Sequence, residues 1–131
     1  MKISFRHLAI ITALLFLMLT LTWMFAAQQL MSGWGLVSTP MAELLGRRAA
    51  ALYAGLAIMF WLARNARPSP ARSAMSKGLT VACLMLAALG IFELAAGHVA
   101  PGILLAVVIE VALAVAFVLL GFVRIEKGNK K

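Results

Sequence analysis

The chain has 131 residues, 64% of them hydrophobic and 12% charged. That composition excludes a protein stable in water as a separate domain, and the spans it contains leave no room for a dedicated nucleic-acid module. The formal charge of +8 does not indicate a nucleic-acid partner, because the basic residues flank apolar runs, where they fix membrane topology.

Four apolar runs, approximately 8–31, 44–63, 78–96 and 102–123, each reach the roughly 20 helical residues needed to cross about 30 Å of hydrocarbon. They lack the alternation of membrane β-strands. The expected fold is therefore all-α: an integral membrane protein forming a compact bundle of four transmembrane helices, one domain over 1–131.

The first run follows Met1-Lys2-Ile3-Ser4-Phe5-Arg6, a start that resembles a signal peptide. Its apolar stretch is longer than the roughly 7–15 residues of a cleavable segment, so despite Phe25-Ala26-Ala27 it reads as a retained span. Trp23 and Trp34 bracket a polar exit that carries Gln28 and Gln29. Tryptophan suits that interface, apolar on one side and wet on the other.

Ser38-Thr39-Pro40 reads as the start of the second helix, with Thr39 as its cap and Pro40 in the first turn. Arg47 and Arg48 lie near its beginning, a turn after Glu43. The second and third runs are joined by a proline-containing basic connection, 64–73, in which Ser69-Pro70 or Ser73 can open the next helix. The connection from the third run to the fourth, 96–102, is short, so those two helices are expected to be antiparallel neighbours.

Alternating helices place ten of the twelve basic residues on one side: Lys2, Arg6, Arg64, Arg67, Arg72, Lys77, Arg124, Lys127, Lys130 and Lys131. Only Arg47 and Arg48 fall on the other. The positive-inside rule then puts both termini in the cytoplasm, N-in and C-in, and the basic segments against anionic membrane lipids. A bacterial inner-membrane location follows from the same plan.

Of the four acidic residues, Glu43, Glu93 and Glu110 lie in or beside the runs, while Glu126 belongs to the basic tail. A carboxylate in hydrocarbon is costly and faces a partner, the bundle interior or a wet cavity. Glu110 lies roughly 12 Å inward from Gly102 and Glu93 roughly 6 Å inward from Gly97, at 1.5 Å per residue. With Gln28, Arg47, Arg48 and His98 they converge on the outer half of the bilayer, where they are candidates for ligand binding or proton exchange.

Facial spacing supports an inward Glu110, in line with Ala106, Ala114 and Phe117, and an inward Glu93, in line with Cys83, Leu86, Gly90 and Gly97. A comparable stripe on the second helix joins Arg48, Ala51, Gly55 and Met59. Small residues on these faces permit close helix approach. The competing roles are ordinary: an arginine paired with Glu43 or Glu93 or snorkelling to phosphate, His98 as an interfacial residue, and Glu110 neutral in a structural hydrogen bond. Cys83 stands alone and reads as a packing residue, and no spacing suits a metal or identifies a cofactor.

Three function classes fit. The first is a membrane binding or accessory protein holding a lipophilic small molecule, or acting as a homo-oligomer or with a membrane-protein partner. The second is a proton-coupled small-molecule transporter working as an oligomer. The third is a membrane-embedded enzyme acting on a lipid or isoprenoid-like substrate through Glu93, Glu110, His98 and an arginine. In length, span number and possession of a membrane glutamate, the chain resembles the small multidrug transporters, but its deep acid, Glu110, lies in the fourth span and not the first. The four-span plan also resembles many small bacterial membrane proteins, which implies a location without supplying a mechanism. No G-x-S-x-G, H-E-x-x-H, Walker or Rossmann pattern sharpens the chemistry.

Overall fold

The computed structural model describes residues 4–122. Five α-helices appear there: α1 (Phe5–Phe25), α2 (Ala27–Gly33), α3 (Pro40–Ala63), α4 (Pro70–Ala95) and α5 (Leu104–Phe117). A 3₁₀ turn, Pro101–Ile103, leads into α5, and a π-helical turn, Val118–Phe122, continues it. Lys2, Val123, Arg124, Glu126, Lys127, Lys130 and Lys131, which entered the topology argument, lie outside the described residues.

The helix starts are local events. Thr39 Oγ1 accepts from the Ala42 N–H, with Pro40 as the first helical residue of α3. Ser69 Oγ accepts from the Arg72 N–H, with Pro70 opening α4. The first apolar run is not one helix, because α1 stops at Phe25 and α2 begins after Ala26. Just before the break, Thr20 and Thr22 return their hydroxyls to the carbonyls of Phe16 and Met18, a back-bonding that bends helices.

Three helical stretches are long and apolar enough to cross a membrane: Phe5–Phe25, Pro70–Ala95 and Pro101–Leu120. The helix α3 has the length, 24 residues, but Glu43, Arg47 and Arg48 dilute the hydropathy of its first turns. Large apolar side chains face outward on all four long helices, including Phe25, Leu52, Leu62 and Leu105, each more than 70% exposed. So much apolar surface is suited to lipid contact.

The helices pack as two antiparallel pairs. In the first, α1 lies along α3: Phe16 stacks on Tyr53, and Thr20 Oγ1 reaches the Ala50 carbonyl at 3.3 Å. In the second, α4 lies along α5, with Gly90 close against Val107. The pairs meet at the basic end in one core built from Phe5, Phe16, Phe60, Leu79, Cys83, Ala114 and Phe117.

At the opposite end two tight turns dock. Gly35 and Gly97 both have left-handed backbones, φ 73° and 77°, and each closes its helix in a paired-bond cap. Leu36 and Gly35 N–H donate to Met31 and Ser32, while His98 and Gly97 N–H donate to Glu93 and Leu94. The Ala100 N–H then donates to the Trp34 carbonyl at 2.7 Å across the turns.

Gly102 packs directly on the Gly33 carbonyl oxygen, where no Cβ has room. Gly102→Ala is therefore expected to destabilise the protein by about 1–3 kcal/mol through overpacking. Gly55→Ala, in the middle of α3 at a site with nothing nearby, is expected to be neutral or stabilising by up to about 1 kcal/mol. Unfolding of both variants in mild detergent checks the difference, and equal stabilities would remove the docked turns from the account.

Candidate functional site

The polar residues on the side of the bundle away from the basic connection sort into three groups. In the first, Glu43 draws together three chain segments. Its Oε1 accepts from Ser38 Oγ at 2.6 Å and from Gln28 Nε2 at 2.9 Å, while Oε2 lies 3.5 Å from Arg47 Nη2. Gln28 comes from α2, Ser38 from the connection and the other two from the first turns of α3. The cluster thereby fastens the α2–α3 connection. Arg47 is largely exposed, so its ion pair adds little stability on its own.

In the second group, His98 Nδ1 lies 2.6 Å from Glu93 Oε2. The cap at Gly97 produces this contact by folding the chain back so that the imidazole sits beside the last turn of α4. Both side chains are partly exposed, and the contact is an ion pair only when the imidazole is protonated.

Glu110 forms the third group. It is half-buried on α5 and lies near enough to the Tyr53 phenol of α3 and the Cys83 thiol of α4 to act on both electrostatically. Ala114 and Phe117, on the same face, are buried. Glu110 thus turns toward protein from the middle of its helix.

The packing changes at this level. No residue of α1 is buried between Phe16 and Ala27, none of α3 between Ala50 and Ala57, and none of α5 between Val107 and Ala114. Burial on these three helices is thus interrupted around Glu110 and resumes beyond it at Ala27, Ala50 and Val107, while α4 stays buried through Cys83, Ala87 and Gly90.

Arg48 joins none of these groups. It is exposed, and Ala51, Gly55 and Met59 are exposed with it, so that stripe of α3 faces away from the bundle. The inward face carries Gly46, Ala50, Ala57 and Phe60, with Tyr53 half-buried among them. Both stripes have helical spacing and small residues, and only their packing against α1 distinguishes them. Sequence reasoning also assigned no role to Tyr53, whose signal was a phenol inside an apolar run, or to Ser38 as a partner of Glu43.

No group of three or more His, Cys, Asp and Glu side chains suited to a metal occurs among the described residues. No family model, curated protein or solved structure matches the chain.

The hydrogen bonds from Ser38 and Gln28, and to a lesser extent Arg47, hold the Glu43 carboxyl below its ordinary 4.5 against an opposing effect of burial. A carboxyl lowered by folding stabilises the fold above its unfolded value, and that contribution is lost as the pH falls through the lowered one. Carboxyl carbon resonances of the four glutamates, followed by NMR in micelles, should show Glu43 titrating below 4.5. Ser38→Ala is expected to raise the Glu43 midpoint more than Arg47→Gln does; an unchanged midpoint in Ser38→Ala would show that the hydroxyl does not hold the carboxylate.

Proposed function

We propose that the protein is a small integral membrane binding or accessory protein that holds a lipophilic molecule in the outer half of its bundle. The supporting observation is a half-buried carboxyl in the middle of an apolar helix, Glu110, near enough to the Tyr53 phenol and the Cys83 thiol to act on both electrostatically. An intramembrane carboxyl among apolar side chains suits a hydrophobic guest bearing one polar head, which the carboxyl orients. Both ends of the bundle are tied, by packed rings at one and docked turns at the other. That arrangement favours holding a molecule over carrying it across.

On this reading α3 is a fourth span, because it runs antiparallel along α1 and crosses whatever α1 crosses. The basic connection between α3 and α4 faces the cytoplasm, and both termini lie there with it. Arg47 and Arg48 sit at the outer interface, where Arg48 snorkels to lipid phosphate. The membrane is the bacterial inner membrane.

The test uses a long-chain alcohol bearing a photoactivatable diazirine, whose hydroxyl can donate to the Glu110 carboxylate, added to the full chain in mild detergent. Peptides containing Tyr53 and Glu110 should carry the label. Loss of a hydrogen bond to a charged group predicts a drop of about tenfold in Glu110→Leu, with Leu52→Val, on the outward face, unchanged. Label confined to outward residues, or insensitive to Glu110→Leu, would contradict a guest at this level.

A further inference from the structure

We draw no further inference here: the strongest candidate, the Thr12 hydroxyl buried on the inward face of α1 without a hydrogen-bond partner among the described residues, carries nothing, because nothing in the structure shows what would meet it and a helical threonine can return its hydroxyl to the carbonyl four residues back, as Thr20 does.

Discussion

Phe117 is fully buried where α1, α3 and α5 meet, 6.4 Å edge-on from Phe5 and 5.4 Å from Phe60, which in turn stacks on Phe16. Between helices in lipid there is little hydrophobic drive, since the acyl chains are as apolar as the side chains they would replace. Association rests on packing, and aromatic pairs contribute about 0.5–1.5 kcal/mol each beyond the area they bury. This chain of rings is therefore what joins the α1–α3 pair to the α4–α5 pair. Its position at one end leaves the interior above it free to differ.

The difference lies in side-chain size along the same helices. Below Tyr53 the inward positions include Phe5, Phe16, Phe60 and Phe117, which fill the space between the pairs among small and hydroxyl-bearing residues such as Ala9, Thr12 and Ser76. At its level and above they include Glu110, Thr20 and small residues, and the helices remain partly uncovered. The docked turns at Gly35 and Ala100 limit how far the pairs can part at the other end. At the basic end the Arg72 guanidinium stacks on Phe5 and so covers the ring cluster.

Features governed by neighbouring residues were legible in the sequence. Thr39-Pro40 and Ser69-Pro70 announce helix starts because the capping hydroxyl and the proline act within one turn. The face shared by Glu110, Ala114 and Phe117 was readable because two of its members are fit only for packing. The face of α3 was not: Arg48, Ala51, Gly55 and Met59 have the same spacing as the stripe that packs, and selection between them comes from the rings of α1. The break at Ala26 involves neither proline nor glycine and depends on threonine back-bonding. An arginine paired with Glu43 was legible from one helical turn, though not that it is Arg47 and not Arg48, while the pairing of Glu93 with His98 was hidden because it follows from the glycine cap. Arg72 counted in the sequence only among the basic residues that fix topology, and the tertiary fold places it against the Phe5 ring.

The central claim is that the two helix pairs cross the membrane together, with α3 as a full span despite its charged first turns. Its most direct test is cysteine accessibility in a Cys83→Ser background, with single cysteines at the exposed positions Val37 and Ala71, at opposite ends of α3. A membrane-impermeant maleimide applied to spheroplasts should label the cysteine at position 37 and spare the one at 71 until the membrane is opened. Labelling of both from outside, or of neither, would place the ends of α3 on the same side and contradict its crossing; labelling of position 71 alone would reverse the orientation.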